Sequence, residues 1–146
     1  MPPEAEDRAA APPEGSTAYY SGLPPVNAYA ESRLSGVFTV VVVRGEIDMA
    51  AVDALTEHLD AATARPEPQV LVDLRCVDFL DCSGLRVLCR AESRAKERGG
   101  NLRLVSNQPL VHRLLRVSGL LSRFPPLAEL PPECRPESGS APCPQE

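Results

Sequence analysis

The 146-residue chain contains no tryptophan and only three tyrosines and three phenylalanines. Stacking platforms for single-stranded nucleic acid are therefore scarce, and a core has to be built from Val, Leu, Ile and Ala. Long apolar runs are missing as well. The longest charge-free stretch of the central region, 34–43, is far shorter than the ~20 residues that cross a bilayer, and the opening MPPEAEDR is acidic with no apolar leader segment. A cytoplasmic protein that does not engage a membrane is the expectation. Cysteines stand at 76, 82, 89, 134 and 143, with no C-x-x-C pair and no neighbouring His ligands. That spacing supports neither a zinc nor a thioredoxin-like motif, and it predicts reduced thiols, no metal and no cofactor.

What is present divides the chain in three. Of sixteen prolines, six fall within residues 2–25 and seven within 125–144. Proline removes a backbone donor and stops helices, so 1–27 and 128–146 read as disordered tails around one folded domain at 28–127. Charge follows the same division: residues 37–124 hold 12 basic against 11 acidic residues, and the remainder holds 3 against 9. A nearly neutral centre lacks the electrostatic footprint of duplex recognition, so direct nucleic-acid binding is disfavoured.

Within the folded region the hydrophobic period alternates. Val37 to Val43 is a β-branched run that reads as a buried strand ending at Arg44-Gly45-Glu46. Asp48 then stands in cap position before Ala51, Leu55, Leu59 and Ala62, one face of a helix over about 49–64. After Pro66 and Pro68, residues 70–74 form a second buried strand and 75–80 a connection. A helix over 83–98 stops at Gly99-Gly100, with Glu92 interrupting its apolar stripe. A strand over 101–105 and a helix over about 108–118 follow, and Tyr29 to Leu34 adds an edge strand. Alternating strands and helices predict an α/β sheet with helices on at least one face.

In such folds the chemistry gathers where strand ends lead into helix starts. Two junctions carry distinctive residues: Gly45-Glu46-Ile47-Asp48, and Asp78-Phe79-Leu80-Asp81-Cys82-Ser83-Gly84-Leu85. Gly84 leaves room beside the Ser83 hydroxyl for another molecule. Each residue also has a plainer role. Ser83, Asp48 and Asp81 suit helix caps, and Cys82 is either a small residue at a buried junction or a redox-sensitive thiol. Two aspartates with no His, third ligand or recognisable substrate pocket make a weak enzyme site. Arg86, Arg90, Arg94 and Arg98 make a basic stripe, either a solvated face or an electrostatic contact for an acidic partner beside Ser83.

Taken in order, Gly45-Glu46-Ile47-Asp48, Val70-Leu71-Val72-Asp73-Leu74, Phe79-Leu80-Asp81-Cys82-Ser83-Gly84-Leu85 and the segment from Leu114 to Phe124 resemble STAS domains of bacterial anti-sigma factor antagonists over about 29–125. The resemblance implies a STAS-like α/β fold, a mixed sheet of four to five strands with helices mainly on one face. It implies no catalysis by the chain itself. It makes Ser83 the residue phosphorylated by an anti-sigma factor with serine kinase activity and dephosphorylated by a phosphatase. Asp48, Asp81, Cys82, Gly84 and Arg86 then form the partner-binding surface. In this reading the unphosphorylated chain binds the anti-sigma factor and releases the sigma factor, and a phosphate on Ser83 reverses that. The rival is a non-switching STAS scaffold in a signalling complex. One departure from the family pattern is the Pro-rich run after Phe124, where members commonly add a strand and an amphipathic helix.

Overall fold

The computed structural model describes residues 23–134. Residues 1–22 and 135–146, which make up most of the two expected tails, lie outside the described residues. Strand β1 (Ala30–Ser35) turns through Gly36 and Val37 into β2 (Phe38–Ile47). A 3-10 turn (Met49–Ala51) runs into helix α1 (Val52–Thr63), then β3 (Gln69–Leu80), α2 (Cys82–Glu97), β4 (Asn101–Val105) and α3 (Pro109–Val117). The sheet order is β1-β2-β3-β4, antiparallel for the first pair and parallel for the others. This is the mixed sheet that the resemblance implied.

One face of the sheet carries the main core. Val41, Val43, Val70, Val72, Leu102 and Leu104 alternate toward the helices, where Leu55 and Leu59 of α1, Leu88 and Ala95 of α2, and Val111 and Leu115 of α3 meet them, all fully or almost fully buried. The period-2 strand residues and the period-3.6 helix residues thus share one apolar layer. Helix α2 ends at Gly99, whose φ of +82° is a left-handed stop that other residues resist.

Two strands run longer than their hydrophobic pattern indicated. The residues 75–80, expected as a connection, continue β3, because two register shifts against β2 each place an extra residue in β3. Those bulges break the strict alternation that marks a strand in sequence, and they return Val77 and Leu80 to the core side. Likewise Arg44-Gly45-Glu46, read as the end of a strand, lies inside β2.

The folded region is also wider than 28–127. On the sheet face opposite the helices, Val40, Leu71 and Val105 are covered by Leu130 and Cys134, with Phe38, Val42 and Leu127 at the edges. Leu127 lies beside Val105 as a one-residue parallel strand: its N–H donates to Leu104 O at 2.9 Å and its carbonyl accepts from Ser106 N at 2.7 Å. Arg33 Nη2 donates to Cys134 O at 2.6 Å, and a 3-10 turn closes at Pro132–Cys134. Prolines that exclude helix and ladder bonding still permit an extended strap, so 128–134 packs where a tail was expected. At the other end, Asn27 Oδ1 accepts from Tyr29 N and Ala30 N at 2.8 and 2.9 Å. The buried His58 bridges Pro25 O at 3.0 Å and Ser32 Oγ at 2.6 Å. A carbonyl only accepts, so His58 Nε2 donates to Pro25, and in the neutral ring Nδ1 accepts from Ser32.

Glu92 finds its reason here. The residue is 3% exposed, and its carboxylate takes Arg123 Nε at 2.7 Å and Lys96 Nζ at 3.0 Å. Arg123 Nη2 also donates to Cys89 O and Ser93 Oγ, at 2.9 and 3.1 Å, so one guanidinium latches the segment after α3 onto α2. Burial pushes the Glu92 carboxyl up, but hydrogen bonds from Lys96 and Arg123 outweigh it and hold it below its ordinary value. Cys76 is disulfide-bonded, against the expectation of a wholly reduced set, whereas Cys82, Cys89 and Cys134 are free thiols.

Candidate functional site

The parallel strands β2 and β3 finish level with one another, since Ile47 and Leu80 are register partners and Asp81 N donates to Ile47 O at 3.1 Å. Asp48 and Asp81 are the next residues of each chain segment, which brings both junctions to one end of the sheet. Both aspartates work as caps. Asp48 accepts from Ala50 N at 3.0 Å, and Asp81 accepts from Ser83 N at 2.9 Å and Gly84 N at 3.4 Å. Each carboxylate therefore satisfies amides that the first helical turn leaves unpaired.

Because Asp81 is the cap and α2 begins at Cys82, Ser83 occupies the second helical position. Ser83 is half-buried and its hydroxyl makes no hydrogen bond among the described residues, so capping does not account for it. A Cβ built on Gly84 would lie 2.5 Å from Leu80 Cδ1 and 2.9 Å from Ile47 Cγ2, inside contact distance of both strand ends. Gly84 is buried, and its missing side chain lets α2 sit close on the sheet. Cys82, expected at a buried junction, is exposed at the first position of the helix.

Ser83 lines an open groove of about 440 Å³ between the starts of α1 and α2. Met49, Val52, Asp53 and Thr56 form one wall, and Ser83, Arg86, Val87 and Arg90 the other. Met49 is 78% exposed.

Comparison with known proteins gives the arrangement a family. The family described as "Mlab, STAS domain" matches residues 31–126, about two thirds of the chain. The chain belongs to the STAS domain family. Among curated relatives, the Anti-sigma-F factor antagonist RsfA of Mycobacterium tuberculosis is 37% identical over 83 residues, covering 55% of this chain and 64% of that protein. An anti-sigma F factor antagonist of Paenibacillus polymyxa is 33% identical over 89 residues, 59% of this chain and 76% of that one. A crystal structure of an anti-sigma factor antagonist from Mycobacterium paratuberculosis superposes with a TM-score of 0.64 at 28% identity, covering 74% of this chain and 92% of that one. The chain thus spans slightly less than two thirds of RsfA.

In this STAS domain the three arginines of α2 and Arg98, which caps its end, do not act as one stripe. Arg90 Nη1 pairs with Asp60 of α1 at 2.9 Å, and Arg94 Nε donates to Thr63 Oγ1 at 3.1 Å, with Asp60 at 3.8 Å. Two of the four therefore tie α2 to α1. Arg86 and Arg98 are exposed and make no ion pair among the described residues. Sequence reasoning missed the α1 wall of the groove. Its signal was present in Met49, an apolar residue off the Ala51, Leu55, Leu59, Ala62 face that is left exposed, whereas Val52 packs partly against the core. Among the described residues no helix is long and apolar enough to cross a membrane, and no three His, Cys, Asp or Glu side chains group as a metal site.

Proposed function

We propose that this STAS domain is an anti-sigma factor antagonist whose unphosphorylated form binds an anti-sigma factor and releases a sigma factor. The partner is a serine kinase that moves the γ-phosphoryl of ATP to Ser83 Oγ; the hydroxyl loses its proton and ADP leaves. A phosphatase reverses the step by hydrolysing the ester. The chain works in the cytoplasm, catalyses nothing itself and makes no contact with nucleic acid.

The observation that carries this reading is the Ser83 hydroxyl. It stands in a groove at the start of α2 and makes no hydrogen bond among the described residues, while Asp81 does the capping. The relatives named as anti-sigma factor antagonists support the antagonist role. Both aspartates are occupied as caps, which argues against an acid/base pair and for a binding surface.

Charge supplies the switch. A phosphate on Ser83 adds about −1.5 to −2 and three acceptor oxygens, beside Asp81 and facing Asp53 across the groove. A surface shaped around a bare hydroxyl then meets bulk, desolvation and like charge. Reversing occupancy from 1:99 to 99:1 takes about 5.5 kcal/mol of differential binding. The test incubates the chain with the anti-sigma factor kinase of its own organism and ATP, and maps the phosphate by mass spectrometry. One phosphate on Ser83 and none on Ser83→Ala is expected; an unmodified Ser83 with tight binding retained by Ser83→Asp overturns the switch and leaves a scaffold.

A further inference from the structure

We propose that Arg86 is the built-in counter-ion of phosphoserine at position 83, and that phosphorylation closes the docking groove by drawing this guanidinium onto the phosphate. The inference rests on the phosphorylation of Ser83 proposed above. Four observations carry it. Ser83 and Arg86 lie three residues apart on α2, a spacing that makes them surface neighbours, and both line the same groove. Helical side chains lean toward the N-terminus, so a long side chain at position 86 reaches back over position 83. Arg86 is exposed and makes no ion pair among the described residues, whereas Arg90, the next basic residue of the groove, is held by Asp60.

The fourth observation concerns the helix itself. A phosphate at a helix start commonly takes the free amides of the first turn. Here Asp81 already accepts from Ser83 N and Gly84 N. The dipole still favours the anion, but two of its natural donors are occupied, and a forked guanidinium three residues on is the remaining strong donor. The charged groups around the phosphate are Asp81 at the cap, Asp53 across the groove on α1, and Arg86 and Arg90 on α2. Asp53 and Asp81 oppose the phosphate dianion, so Arg86 has to offset two carboxylates. Paired with the phosphate, Arg86 also ceases to be available to an acidic partner residue.

The test incorporates phosphoserine directly at position 83 and follows its second ionisation, ordinarily near pH 6, by 31P NMR. The full chain is compared with Arg86→Gln, Arg86→Lys and Arg90→Gln. Expected is a phosphate pKa lower than in Arg86→Gln by about half a unit or more, as an adjacent cation favours the dianion. Arg86→Lys falls between them, and Arg90→Gln matches the parent. Equal pKa values in the parent and Arg86→Gln overturn the proposal, as do equal shifts in Arg86→Gln and Arg90→Gln, which report only the loss of one positive charge. The underlying phosphorylation reading fails by a different result: the phosphoserine chain binding the anti-sigma factor as tightly as the bare chain, whatever the titration shows.

Discussion

Ser83→Ala removes a hydroxyl that no other described group uses, so its cost to folding is within about 0.5 kcal/mol, the range of ordinary surface substitutions. Its neighbours behave otherwise. Asp81→Ala deletes a cap that serves two amides and lowers stability by about 1 kcal/mol. Gly84→Ala forces a methyl against Leu80 and Ile47 and lowers it by about 1–3 kcal/mol. Urea denaturation of the three variants checks this order, and a large loss for Ser83→Ala would return the hydroxyl to a structural role. The short run Asp81-Cys82-Ser83-Gly84 was legible as a helix start from its residue types alone. The division of labour within it was not, because the cap geometry decides between Asp81 and Ser83, and one of the two residues crowding Gly84, Ile47, comes from β2.

Among the elements, α2 carries two unlike faces, one toward α1 through Arg90 and Arg94 and one toward the segment after α3 through Glu92. Glu92→Gln weakens a buried, charge-assisted pair and lowers stability by about 1–3 kcal/mol at neutral pH. The folded carboxyl titrates below its ordinary range, so this contribution is fully present above about pH 4.3 and is lost as pH falls through the folded value. Melting curves of the parent and Glu92→Gln therefore converge on acidification; a constant difference would assign the stability to packing. The covering strap makes a second prediction at this scale. Leu130→Ala opens the cluster over Val40, Leu71 and Val105, lowers stability by about 2 kcal/mol or more and exposes the Cys134 thiol to a maleimide probe. The helices and β4 were readable from periodicity because their apolar residues keep one period throughout. The end of β3 and the strap were not: bulges scramble alternation in the first, and proline composition hides extended packing in the second.

At the scale of the whole molecule, the sheet brings two separate junctions to one end, where the groove between α1 and α2 joins Met49 and Val52 to Ser83 and Arg86. Ordered motifs in the sequence located the α2 half of that surface and both aspartates. The α1 wall was signalled only by Met49, an apolar residue off the helical face; Val52 is partly buried against the core, and its place in the groove is visible only in the structure. The opposite sheet face is covered by the chain's own strap. The most direct test is the affinity of the anti-sigma factor for the chain with serine, and with phosphoserine, at position 83, measured by calorimetry under one salt condition. A loss of at least 100-fold on phosphorylation, about 2.7 kcal/mol, is predicted; equal affinities would contradict the switch and leave Ser83 a bystander on a constitutive binding surface.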